Sequence, residues 1–172
     1  GEGDEVRIII HDLEKSDFQK LFPQPLDDTM VIGSGAKIHH CLGCFGCWTK
    51  TPGACVIRDQ YGDSGEHFSK CSEALVLSRC YYGGFSPFVK NVFDRSISYM
   101  HPDFRNRYGE MHHKRRYKNC VDLLVFFYGE DITEREQQVA RDLVKANAIN
   151  MCWNVAGVSF SHDIAELEGR VS

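Results

Sequence analysis

Four of the chain's eight cysteines, Cys41, Cys44, Cys47 and Cys55, crowd into the segment CLGCFGCWTKTPGAC. Their spacing, C-x2-C-x2-C-x7-C, lets three thiols at intervals of three and a fourth one loop away converge on a [4Fe-4S] cluster, which four thiolates hold. Gly43, Gly46 and Gly53 supply backbone freedom for wrapping such a group. Zinc is less well matched, because its four-cysteine sites usually come as two separated pairs. A plainer reading is a metal-free turn, with Phe45 and Trp48 as core or subunit-contact aromatics. A redox dithiol is the third.

The remaining chemistry-bearing residues carry weaker signals. His39 and His40 precede the cysteines at a strand end, where paired histidines usually face solvent. His112 and His113 open the basic run HHKRRYK, from His112 to Lys118, which reads as a solvated loop. Cys71, Cys80, Cys120 and Cys152 are spread through apolar elements, where a free cysteine behaves as a small hydrophobe.

What must position these groups is an alternation of apolar, β-branched runs with amphipathic ones, the pattern of an α/β fold around a buried parallel sheet. Strands are expected at Val6 to Asp12, Thr29 to Gly33, Ala74 to Arg79, Cys120 to Tyr128 and Asn154 to Phe160. Helices are expected around Asp17 to Leu21, Gly65 to Cys71, Ser86 to Tyr99 and Thr133 to Asn150. The last opens on Thr133-Glu134-Arg135-Glu136, a capping box, and continues with Val139, Leu143 and Ala146 on one face. The tail AELEGRVS is polar enough to be loosely ordered.

Length and composition bound the answer. At 172 residues, 42% hydrophobic and 26% charged, the chain suits a single domain over residues 1–172 with its own core. A net charge of -4 argues against a general nucleic-acid binder, which needs a dominant basic surface. No apolar run reaches the ~20 residues of a membrane helix, and the opening GEGDEV lacks the basic and apolar regions of a signal peptide. A cytoplasmic protein with no membrane partner is expected, its cysteines thiols, ligands or redox groups rather than structural disulfides.

Four segments together resemble one family: CLGCFGCWTKTPGACVIRDQ (Cys41 to Gln60), ALVLSRCYYGGFSPFVKNVFDR (Ala74 to Arg95), RNRYGEMHHKRRY (Arg105 to Tyr117) and FFYGEDITERE (Phe126 to Glu136). They are similar to the flavodoxin-like superfamily, within it the NAD(P)H-dependent FMN reductases and the iron-sulfur flavoproteins. The resemblance implies a doubly wound five-stranded parallel sheet of order 2-1-3-4-5, with flavin beyond the carboxyl ends of the strands. It implies that Tyr81, Tyr82, Gly83, Gly84 and Phe85, with Tyr128, Gly129 and Glu130, flank the isoalloxazine, and that Asp94-Arg95 makes a structural ion pair or helix-end contact. It further implies an oxidoreductase, a homodimer, that moves electrons from NAD(P)H through FMN to a small-molecule or protein acceptor, with no dedicated catalytic acid or base.

One segment departs from that pattern. Where the family holds the FMN phosphate on a glycine- and hydroxyl-rich loop, this chain has HDLEKSDF, with Asp12, Glu14 and Asp17 where a dianion would sit and only Lys15 and Ser16 to offset them. The unit from Val6 to Gly33 is also short, leaving its helix about two turns. VIGSGAK (Val31 to Lys37) cannot replace the loop, because only Ile38, His39 and His40 separate it from Cys41. Two alternatives therefore stand beside the flavin enzyme: a flavodoxin-fold interaction subunit that has lost FMN, and an iron-sulfur electron-transfer protein built on Cys41 to Cys55.

Overall fold

The expected strands all form. The structure, a computed structural model, describes residues 6–171. β1 (Val6–His11), β2 (Thr29–Gly33), β3 (Cys71–Arg79), β6 (Asp122–Tyr128) and β7 (Asn154–Ser161) make one five-stranded sheet. Every neighbouring pair is parallel, and the spatial order is β2-β1-β3-β6-β7. Counting only these strands, that is the expected 2-1-3-4-5.

Period-two alternation divides the sheet's side chains between two cores. Ile8, Ile10, Val76, Val125 and Phe127 face one way, toward α3 (Ser64–Ser69), α4 (Pro87–Asp94) and α5 (Glu134–Met151). Ile9, Leu75, Leu77 and Phe126 face the other. There the covering helix among the described residues is the seven-residue α1 (Lys15–Leu21), too short to cover an apolar sheet face. The C-terminal tail does the rest. Leu167 and Val171 are buried against that second core, so the tail is docked rather than loose. Its average polarity concealed two apolar anchors four residues apart.

The basic run is strand at its start and not the expected solvated loop. His112 to Arg115 belong to β5 (Glu110–Arg115), paired antiparallel with β4 (Met100–Arg107) as a separate hairpin. Tyr108 and Gly109 form its two-residue turn, both at positive φ, the geometry that matches the twist of a hairpin. The helix expected over Ser86 to Tyr99 instead stops at Asp94 and resumes as a 3-10 turn at Ile97–Tyr99. Between the two, Arg95 is buried and forms a two-pronged ion pair with Asp59, at 2.7 and 2.8 Å. Those hydrogen bonds hold the Asp59 carboxyl well below the usual carboxylate range. No helix among the described residues is long and apolar enough to cross a membrane.

Candidate functional site

The carboxyl ends of β1, β3 and β6 are tied together by one side chain. The Asp12 carboxylate accepts the Arg79 amide at 2.8 Å and the Tyr128 hydroxyl at 2.7 Å. Burial first, and Asp12 second, push the Tyr128 phenol's pKa upward, so it stays a donor. The Arg79 guanidinium lies over the Tyr128 ring at 5.6 Å. Backbone bonds extend the knot, from Cys80 N to Tyr128 O at 2.9 Å and from Gly129 N to Ser161 O at 3.0 Å.

Beyond β3 the chain makes a tight turn at Tyr81-Tyr82-Gly83-Gly84. Tyr81 and Gly84 exchange both backbone hydrogen bonds, at 3.0 and 2.8 Å, with Tyr82 and Gly83 at φ 51 and 87. Gly83 is required twice over: its φ is left-handed, and a Cβ there would stand 2.9 Å from the Glu136 carbonyl and from Val139. The turn is thereby pressed onto the start of α5, leaving Tyr81 46% and Tyr82 90% exposed. Ser86 then closes the segment, its amide on the Ser78 hydroxyl at 2.9 Å and its own oxygen capping α4.

The expected ring-flanking residues thus separate. Tyr81, Tyr82, Gly83 and Gly84 stand together on the exposed turn, and Glu130 is exposed at the neighbouring end of β6. Gly129 is buried in the backbone knot. Tyr128 points inward to Asp12, and Phe85 is core, against Phe93 at 5.2 Å and Phe127 at 5.4 Å. Asp12 is the member that sequence reasoning did not assign a contact, since its partners lie far along the chain.

The four-cysteine loop sits elsewhere. Phe45, at φ 53, leads into α2 (Gly46–Thr49), and the Gly46 amide approaches the Cys44 sulfur at 3.5 Å. The Trp48 indole donates to the carbonyls of Ile97 and Met100, both at 3.2 Å, and packs near His113 with ring centres 4.9 Å apart. Cys44 is exposed, Cys41 and Cys55 half-buried, and Cys47 buried. Burial pushes the Cys47 thiol's pKa up, with Cys55, Cys41 and Cys44 adding to it. Even so, among the described residues no three His, Cys, Asp or Glu side chains meet as a metal-holding group. The donor chemistry suits a cluster, but the ligands are not assembled around one. His39 and His40 are exposed.

No protein-family model matches the chain. A curated protein, an iron-sulfur flavoprotein of Archaeoglobus fulgidus, is 31% identical over 77 residues, 44% of this chain and 34% of that protein. The match therefore spans about a third of that relative's length. Among solved structures, the Trp repressor binding protein of Bacillus subtilis superposes with a TM-score of 0.56 at 12% identity, over 98% of this chain and 99% of that one. General stress protein 14 of Treponema denticola, in complex with FMN, gives 0.52 at 11%, over 97% and 91%. An FMN-dependent NADH-azoreductase of Bacillus anthracis, in complex with FMN, gives 0.52 at 8%, over 91% and 85%.

The fold is flavodoxin-like.

In a flavodoxin-like sheet, ligands sit beyond the strands' carboxyl ends, where the winding reverses. Here that point lies between β1 and β3, where Asp12 stands. The residues present do not fit an FMN phosphate. The Leu13 amide is spent on His11 Nδ1 at 3.1 Å, the Leu13 carbonyl on the Ser34 hydroxyl at 3.1 Å, and the Arg79 amide on Asp12. Glu14, at the N-cap of α1, makes no side-chain capping bond, and Asp17 pairs with Lys20 at 3.6 Å. His11 fills the space beside β2, stacked on Phe18 with ring centres 4.2 Å apart and lying over Gly33, where a Cβ would come within 2.6 Å of Nε2. Next to it is a cavity of about 420 Å³ walled by His11, Leu13, Phe18, Ser34 and Tyr61 among others. The exposed tyrosine turn, by contrast, offers aromatic faces of the kind a planar ring stacks on.

Proposed function

We propose that the protein is an oxidoreductase of the NAD(P)H-dependent FMN reductase kind that meets flavin by its ring, at the edge formed by Tyr81 to Gly84 and Glu130, and not by its phosphate. The observation that carries this is the tyrosine turn. Tyr82 is 90% exposed although its backbone is pinned at both ends and pressed onto α5. A preorganised aromatic pays little ordering entropy on stacking, and the turn occupies the ligand edge of a flavodoxin-like sheet. Flavin supplies the hydride and electron chemistry itself; the protein supplies a stacking surface and orientation. Without a phosphate cradle the flavin is an exchangeable partner. The electron donor is a reduced nicotinamide, and the acceptor a small molecule or protein.

Quenching of flavin fluorescence tests this. Riboflavin and FMN are expected to bind with dissociation constants within about threefold of each other, because a working cradle's charge-assisted hydrogen bonds, worth about 1.5–3 kcal/mol each, would separate them by tenfold or more. FMN preferred a hundredfold would mean that the first loop does hold phosphate. No quenching by either would leave the flavin-free interaction subunit, a reading favoured by the Asp12 knot at the switch point. Iron analysis of the same anaerobic preparation separates the iron-sulfur reading, which the four-thiol spacing and the name of the Archaeoglobus relative support.

A further inference from the structure

At the opposite, amino-terminal end of the sheet, two further thiols share a small cavity. It holds about 320 Å³ and is lined by Arg105, Asn106, Arg115, Cys120, Cys152 and Asn154. We propose that Cys120 and Cys152 are a dithiol site that exchanges with anionic low-molecular-weight disulfides.

Register brings the pair together. Asp122 of β6 lies opposite Asn154 of β7, and the Asn154 amide bonds the Val121 carbonyl at 2.8 Å. Cys120 lies two residues before β6 and Cys152, the C-cap of α5, two residues before β7, so both open onto the one cavity at the strands' amino-terminal ends. The Asn154 side-chain amide reaches both the Cys120 sulfur, at 3.2 Å, and the Asp122 carboxylate, at 3.3 Å.

Only one of the two thiols is packed as a small hydrophobe would be. Cys120 is exposed. Cys152 is 9% exposed and ends α5 at φ 58, a left-handed position better suited to glycine or asparagine. Arg105 Nη2 is 2.7 Å from the Cys152 sulfur, so a cation faces that sulfur whenever it carries negative charge. Arg105 Nε is buried with no acceptor, and the lining residues include two guanidiniums but no carboxylate. An anionic group on the incoming disulfide would satisfy that donor.

The exchange balances without a further oxidant. The Cys120 thiolate attacks one sulfur of the disulfide, the S–S bond breaks, and one thiol leaves with the proton that Cys120 gave up. Cys152, deprotonated in turn, attacks the Cys120 sulfur of the mixed disulfide and expels the second thiol. The small disulfide is reduced to two thiols as Cys120 and Cys152 are oxidised to one disulfide.

The test uses the whole protein and glutathione disulfide, followed by alkylation of remaining thiols and non-reducing peptide mapping. A Cys120–Cys152 linked peptide is expected. Cys152→Ser, or Cys152→Asn, which suits the left-handed backbone, should stop at a glutathione adduct on Cys120; Cys120→Ser should leave Cys152 unmodified over the same time. A persistent adduct on wild-type Cys120, a link from Cys120 to another cysteine, or no reaction of either thiol in the folded protein would overturn the proposal. Circular dichroism of each variant identifies any that fails to fold, and the wild-type map decides without them.

Discussion

The loop after β1 and the turn after β3 leave the same sheet edge one strand apart, and they spend their polar groups in opposite ways. After β1, Leu13 N, Leu13 O and the Asp12 carboxylate all bond within the protein. After β3, the bonds between Tyr81 and Gly84 close the turn on itself and leave two phenol rings in solvent. Topology makes both segments candidates for ligand binding. What distinguishes them is which groups the chain has left unspent: the first has bonded Leu13 N, Leu13 O and the Asp12 carboxylate internally, the second offers a ring a face.

The largest effect should come from breaking the first loop. Asp12→Ala removes an acceptor shared by Arg79 N and the Tyr128 hydroxyl and strands a phenol that burial keeps protonated. Urea denaturation is expected to show a loss of about 2–3 kcal/mol. A loss below about 0.5 kcal/mol, the ordinary scatter of surface substitutions, would mean that Asp12 does not hold the strand ends together.

A smaller effect sharpens the other half. Tyr82→Gly removes the exposed ring but suits the backbone at φ 51. Relief of about 1–2 kcal/mol of left-handed strain is offset by the greater freedom of glycine in the unfolded chain, about 0.5–1 kcal/mol. Stability should hold or rise slightly, while riboflavin affinity falls roughly fivefold, equivalent to about 1 kcal/mol of lost stacking. Unchanged affinity in the folded variant would remove the turn from the flavin site.

These regions also differ in how legible they were. The sheet could be read because Ile8, Ile9 and Ile10, or Leu123 to Phe127, form apolar runs that a strand buried on both faces requires. α5 could be read from its capping box, which forms as expected, with Thr133 N on Glu136 Oε2 at 2.8 Å and Glu136 N on Thr133 Oγ1 at 3.2 Å, but its buried face is Ala140, Val144, Ala148 and Met151, leaving the expected Val139 and Ala146 exposed. The hairpin was missed because its strands are polar, pair only with each other and carry no apolar period. Its one signal was Tyr108-Gly109, the same dipeptide that makes the left-handed turn at Tyr82-Gly83. At the site, proximity in sequence grouped Phe85 with the tyrosines, whereas the chain reverses at Gly84 and sends Phe85 into the core. Asp12, Arg79 and Tyr128 meet only after three strands align, so spacing could not announce them.

The smallest effect concerns the histidine that closes off the first loop. His11 is 5% exposed, and burial lowers its pKa below 6.5, outweighing the opposing pull of Asp12. The Leu13 amide donates to Nδ1, a bond that only the neutral ring can accept. In the unfolded chain the same imidazole takes up a proton near its ordinary pKa of about 6.5, while the native one stays neutral until lower pH. Between those two values the unfolded state binds more protons, so the contribution is fully present above the ordinary value and is lost as pH falls toward the native one. His11→Phe keeps an aromatic on Phe18 and over Gly33 but cannot titrate. Measured by urea denaturation from pH 7.5 to 5, as about six steps across the window that an ordinary imidazole pKa defines, wild type should lose stability relative to the variant as pH falls, with a slope of at most about one proton. Parallel curves would mean that His11 protonates as easily folded as unfolded, and that the first loop is open to water rather than closed on itself.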